Sequence, residues 1–476
     1  MITAPIAPPQ SPSRSGSDQS EIHSRAQRSA AQAERADQAV REILRTQYEG
    51  EPALVVPSPP GAGKTGVVER LAAQSLGAMG ERCVVVLQTN WQAFDFVARF
   101  RRHFGRLPVT LYCRDGLPLP EHIVRGPRRG PLLRVAHEPA ALPTGPCVVV
   151  ANAAKLAMSA VPVGAFDLMV VDEAWQLPNY QFLSVAGLAA RVVLVGDPGQ
   201  IAPVVGAEVT RWSADLAGPH VPAPQALLAN HPDTRVIGLP VTRRLVDDSA
   251  RIVRRAFYPD LEFGALHRAE DRRIEFRRLA AVDPLDAAFR QVESGATVSM
   301  LELPVAAPVT ADGEVAATIA ALLARIVARG AHLVTPDGAR RVGADRVGVV
   351  CGHRAQVRAV RARLGLELAR GVLVETANRY QGLERDVVIV WHPLTGRSSI
   401  RDFHVDAGRF CVMLSRHRAA CLIVGRAGTD ALLARYTPGE PPPLGIDADE
   451  EYDGWRAHRT VLDELCGEGR MVQLHR

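Results

Sequence analysis

Apolar and polar positions along this chain fall into short blocks whose length and spacing change with the element they predict. Residues 53–56 (ALVV) form a brief unbroken apolar run, the mark of a strand buried on both faces of a parallel sheet. GVVERLAAQSL (66–76) then spaces its apolar residues as a helix does. Comparable strand-like runs recur at 168–171 (LMVV), 192–195 (VVLV) and 421–425 (CLIVG). Strands and amphipathic helices alternate through 53–230 and again through 345–425, which predicts doubly wound α/β sheets. No internal repeat of fixed period is visible. No run of ~18 apolar residues exists, so no membrane-spanning helix and no membrane partner are expected. The opening MITAPIAPPQSPSRSGSDQS is rich in Pro and Ser and lacks the apolar stretch of a secretory leader. It predicts a disordered tail and a cytoplasmic protein.

Composition narrows the class. Hydrophobic residues make up 47% and charged residues 22% of the 476, which excludes a wholly disordered, fibrous or coiled-coil chain. The seven cysteines (83, 113, 147, 351, 411, 421, 466) never form C-x-x-C, so buried free thiols are expected. The basic residues are 54 arginines and two lysines, Lys64 and Lys155. A lysine kept in so arginine-biased a chain points to chemistry that needs a compact ammonium rather than a planar guanidinium.

Lys64 sits in Ser58-Pro59-Pro60-Gly61-Ala62-Gly63-Lys64-Thr65, between the 53–56 strand and the helix that follows. Strand, glycine-rich turn, Lys-Thr, helix is the order a phosphate cradle requires. Gly61, Ala62 and Gly63 would turn their backbone N–H groups onto phosphate oxygens, and the helix N-terminus adds partial positive charge. Lys64 would reach the β- and γ-phosphates, and the Thr65 hydroxyl would hold Mg²⁺. Ser58 stands where the pattern has its first glycine, ahead of the gripping amides. The second half of such a site is a strand ending in carboxylates, and FDLMVVDE (166–173) supplies it. Asp172 would orient Mg²⁺ and Glu173 would activate the attacking water.

Further motifs carry a resemblance. Residues 172–176 read DEAWQ, 196–203 read GDPGQIAP, 374–390 read VETANRYQGLERDVVIV and 410–416 read FCVMLSR. With SPPGAGKT they resemble, in order and spacing, the superfamily 1 helicases of the up-frameshift type. The resemblance spans roughly 35–435 and implies two RecA-like P-loop α/β domains, mostly parallel in their sheets, with ATP in the cleft between them. The expected organisation is a tail at 1–34, a first RecA-like domain at 35–235 and a second at 236–436. A Pro-rich linker and acidic helix would follow at 437–476.

The resemblance also implies roles. Gln200 matches the glutamine that senses the γ-phosphate. Arg244 and Arg416 match arginine fingers that reach the transferring phosphoryl group from the second domain. Glu384 and Gln381 match residues at the nucleotide. Arg243 replaces the tyrosine that stacks on adenine, a task a guanidinium plane can share. Ala36 stands where a base-reading glutamine is expected, and Gln38 falls two residues late. ATP with Mg²⁺ is therefore the expected cofactor pair, with other nucleoside triphosphates left open.

Nucleic acid would lie along Thr89-Asn90 in the first domain and Thr376 in the second, although Thr89 also suits an N-cap for a helix at Trp91. Between those motifs, residues 96–137 hold nine arginines against Asp115 and Glu121, interleaved with Phe100, Phe104 and Tyr112. Arg125, Arg128 and Arg129 in this basic segment are the candidates for a single-strand path. The expected function is an ATP-dependent DNA or RNA helicase or translocase. The alternative is a nucleotide-operated clamp or switch without significant unwinding. An accessory protein that supplies unwinding or targeting fits the small size of the motor.

Overall fold

The computed structural model describes residues 16–125, 133–206, 208–212, 215–280, 282–307, 309–400, 402–436, 438 and 450–474. The apolar run at 53–56 lies inside an eight-stranded, entirely parallel sheet. In spatial order its strands are Arg134–Ala136, Val109–Tyr112, Cys147–Asn152, Arg82–Leu87, Phe166–Val171, Ala189–Gly196, Ala53–Pro57 and Arg235–Val236. The strand centres are apolar on both sides because helices cover both faces. Val84, Val86 and Met169 face one core, while Val85, Leu168 and Val170 face the other.

The second sheet has six strands, also all parallel, in the order Leu373–Thr376, Val347–Cys351, Arg385–Trp391, His417–Arg426, Val298–Leu303 and Met471–Gln473. The mostly parallel, twice doubly wound architecture expected from the alternation is present. An antiparallel three-stranded sheet, Arg273–Phe276, Ala331–Thr335 and Gly338–Arg341, is attached to this half. The chain leaves the first core after Leu239 and enters the second at Leu245.

Both ends differ from expectation. The backbone is already helical from Gly16, and the helix Gly16–Tyr48 runs through residues expected to form a disordered tail. Ala36, Ala39 and Ile43 recur at three- and four-residue spacing and are buried, which anchors this helix beside the phosphate-loop helix. At the other end the expected helix is present, Glu450–Gly467, but it is built into the second domain. Ala457, Val461, Leu462 and Leu465 are buried in the second core, and Met471–Gln473 completes its sheet. Six cysteines are buried, Cys466 is exposed, and all are unpaired. Among the described residues, no helix is long and apolar enough to cross a membrane.

Candidate active site and nucleic-acid surface

The strand Ala53–Pro57 delivers the chain into a turn that only glycine makes comfortably. Gly61 and Gly63 take φ of 75° and 92°, in the left-handed region, and Lys64 opens the helix Lys64–Gly77. Gly61 has a second reason to lack a side chain, since an added Cβ would sit 2.3 Å from the Arg244 Cβ. The second domain is pinned to the turn by backbone as well. Arg243 N–H donates to the Gly61 carbonyl (3.0 Å), and the Thr242 hydroxyl to that of Pro60 (2.5 Å). Ser58 is buried outside the turn, with its N–H bonded to the Gly196 carbonyl (2.8 Å). A serine there removes nothing from the cradle.

Asp172 and Glu173 follow the strand Phe166–Val171 directly. Burial first, then the adjacent Glu173, push the Asp172 carboxyl up to about 7, against the pull of Lys64 and a hydrogen bond from Thr65. An all-oxygen set of Thr65 hydroxyl and buried carboxylate beside a phosphate turn suits a hard divalent cation such as Mg²⁺. Lys64 Nζ lies 3.1 Å from Glu173 Oε1, so the expected cation and base form an ion pair. Gln176 Nε2 holds the other Glu173 oxygen at 3.3 Å. Glu173 has φ of 54°, and no other described non-glycine residue has positive φ. Such a backbone is strained by about 1–3 kcal/mol and aims this carboxylate away from the course a regular turn would give it.

Arg416 lies between the helix Ala407–Leu414 and the strand His417–Arg426, 1% exposed. Its Nε donates to the Val412 carbonyl (3.3 Å), while Nη2 is buried without a partner. Burial and then Arg244 push its guanidinium below the ordinary arginine range. An orphaned buried donor of this kind marks a place for an anion. Arg244 differs: its Nε is bound by Glu384 (2.6 Å) and its Nη1 by the Ser415 carbonyl (3.2 Å). Glu384 in turn also accepts from Arg418 Nε (2.8 Å). Burial alone would raise the Glu384 carboxyl, but Arg244 and Arg418 pull it below the usual carboxylate range. Gln381 has its Nε2 buried and unpartnered. Gln200, nearly buried, donates Nε2 to Asp197 (2.5 Å).

A cavity of about 220 Å³ opens beside Ala62 and Gly63, walled by Ala36, Val40, Val67 and Leu239. Among the described residues, its only polar side chains are Arg70, Arg99 and Arg243. Arg243 Nη2 stands 3.8 Å from Asp37 Oδ1, both half exposed. Gln38 does not line this cavity.

Thr89 caps the helix Asn90–His103 in a reciprocal capping box with Gln92, and Asn90 accepts from Asn152 Nδ2 (2.5 Å). Thr376 occupies the N-cap position of Ala377–Tyr380, but its hydroxyl makes no capping bond. Arg125 ends the short helix Glu121–Arg125. Its side chain, and Arg128 and Arg129 entirely, lie outside the described residues. Sequence reading missed a second copy of the Thr89 turn. Gln92 Oε1 accepts from the Gln88 and Thr89 amides (3.1 and 3.0 Å), and Gln356 Oε1 accepts from Gly352 and His353 (both 3.0 Å). The signal was there, as TNWQ and HRAQ each follow an apolar strand.

Residues 240–428 match a family model described as an AAA domain. No curated protein matches the chain significantly. Among solved structures the chain is similar to the arterivirus nonstructural protein 10 helicase, with 16% identity over 80% of this chain and 61% of that one, at TM-score 0.41. It is similar to the PRRSV helicase, with 16% identity over 84% of this chain and 58% of that one, at TM-score 0.37. A third is the DUF1998 helicase MrfA, solved with DNA and AMPPNP, with 10% identity over 92% of this chain and 51% of that one, at TM-score 0.40. The chain thus spans less than two thirds of the length of each.

Proposed function

We propose that this protein, of the superfamily 1 helicase type, hydrolyses nucleoside triphosphates with Mg²⁺ in the cleft between its domains and couples hydrolysis to movement on single-stranded DNA or RNA. The observation that carries the reading is Arg416. Its buried guanidinium has a spare donor and lies near Asp197 of the first domain and near Arg244, which packs against the phosphate turn at Gly61.

In this reading the Gly61–Gly63 amides and Lys64 grip the phosphates, and Thr65 and Asp172 hold the cation. Bound Mg²⁺ supplies charge neutralisation on the phosphate oxygens. Phosphate attracts Lys64 away from Glu173, which frees that carboxylate to accept a proton from water. Arg416 donates to charge that develops on the transferring group, and Gln200 orients the γ-phosphate side. Arg244 joins it once it exchanges Glu384 for phosphate. Thr89, Asn90 and Thr376 grip the sugar-phosphate backbone with neutral donors, which suits repeated grip and release.

The base would enter the cavity beside Ala62. Its apolar walls and arginine rim supply stacking and area but no neutral amide or hydroxyl to read a base edge. Steady-state hydrolysis of ATP, GTP, CTP and UTP is therefore expected to give kcat/KM values within about tenfold of one another, far from the ~10⁴-fold discrimination of a hydrogen-bonding site. Absence of turnover with all four would contradict the hydrolase reading. A preference for one base beyond a thousandfold would contradict the account of the cavity.

A further inference from the structure

The loop that carries Gln200 is gripped from the second domain by a residue with no assigned role. Asp197 is 1% exposed and its carboxylate accepts three hydrogen bonds. They come from Gly199 N–H (3.1 Å), Gln200 Nε2 (2.5 Å) and the Tyr258 hydroxyl (2.6 Å). The first two are local. The third crosses from the second domain, where Tyr258 ends the helix Asp247–Phe257 and packs in that domain's core.

Tyr258 touches the finger element as well. Its hydroxyl oxygen lies 3.3 Å from Cys411 Sγ, on the helix Ala407–Leu414 that leads to Arg416. A tyrosine has one proton to give. With that proton directed at Asp197, the Cys411 thiol is left to donate to the phenolic oxygen. Burial pushes the Tyr258 hydroxyl well up and the Cys411 thiol up to about 12, so both keep their protons at neutral pH.

Shape reinforces the chemistry. A Cβ on Gly199 would fall 2.4 Å from Tyr258 Cζ, so the hydroxyl end of the ring lies tight against the turn. A Cβ on Gly408 would fall 2.5 Å from the Gln200 carbonyl oxygen. The loop is thus held between two second-domain surfaces at separations that glycine alone permits.

We propose that Tyr258 is a positioning residue for hydrolysis: it fixes Asp197, and through it the Gln200 amide, when the second domain, with the helix that leads to Arg416, closes on the first. The loop then adopts its working geometry only when the finger is in place. This rests on the hydrolase reading above.

The test is a double-mutant cycle of Tyr258→Phe and Gln200→Ala, read as kcat and KM for ATP with saturating single-stranded DNA or RNA, alongside thermal melts. Tyr258→Phe deletes only the hydroxyl. It is expected to lower kcat about tenfold, the effect of one hydrogen bond to a charged group, with KM near the wild-type value. Because Tyr258 acts through Gln200, the double variant should match Gln200→Ala within about twofold. Gly199→Ala displaces the ring by another route and should reproduce the kcat loss without deepening it when combined with Tyr258→Phe. Wild-type kcat in Tyr258→Phe, or losses that multiply in the double variant, would overturn the proposal while leaving the hydrolase intact. Wild-type protein inert toward every nucleoside triphosphate would overturn the hydrolase reading, and this inference with it.

Discussion

Glu173→Gln is expected to bind nucleotide as the wild type does and to turn it over about 10²–10⁴ times more slowly. The amide keeps the size and the strained backbone position of Glu173 but cannot accept a proton from water. The substitution also removes the resting ion pair with Lys64 (3.1 Å), which leaves the ammonium free for phosphate. Nucleotide affinity should therefore hold or rise while kcat collapses. Single-turnover hydrolysis together with equilibrium binding of a labelled nucleotide separates the two. Hydrolysis at the wild-type rate would assign the base to another residue.

Arg416→Met is expected to lower kcat by roughly 10³, the lower end for loss of an arginine finger, with little change in KM. The same change should leave the melting temperature of the nucleotide-free protein unchanged or raise it. Arg416 is 1% exposed, its Nη2 has no partner, and burial and Arg244 already disfavour its charge. An apolar side chain of similar volume relieves that penalty, and such replacements of buried charge are often neutral or stabilising. Stability gained together with activity lost is the signature of a residue held for catalysis. Lower stability with retained turnover would make Arg416 a structural residue. Arg244 offers no such contrast, since Glu384 and Ser415 already satisfy part of its fork.

The parts of this site that were legible in the sequence are those where one short segment carries both the element and the chemistry. Residues 53–65 give strand, turn and lysine in a single stretch, and 166–173 give strand and carboxylates. What the sequence hid depends on partners far along the chain. Tyr258 follows a helix that opens on two aspartates and runs on in basic and apolar residues, and its meaning lies in Asp197, 61 residues earlier and in the other domain. The left-handed backbone of Glu173 leaves no compositional mark. Met471–Gln473 is a three-residue strand whose identity comes only from its pairing with Met300–Glu302. The helix starting at Gly16 was masked by the Ser, Gln and Arg content of its first turns, because its apolar stripe begins only near Ala36. Ala36 lines the cavity beside the phosphate turn, and only the folded chain shows that, among the described residues, no neutral polar side chain joins it there.

In the proposed motor, a strand bound across Thr89, Asn90 and Thr376 drives the second domain onto the first, bringing Arg416 to the nucleotide held by Lys64 and Tyr258 to Asp197. Steady-state ATP hydrolysis titrated with single-stranded DNA and with single-stranded RNA tests it most directly. The predicted result is at least a severalfold rise in kcat with one or both, weakening as salt increases, because backbone binding releases counterions. Turnover already maximal without nucleic acid, and indifferent to either strand at any salt concentration, would contradict the motor and leave a nucleotide-operated switch.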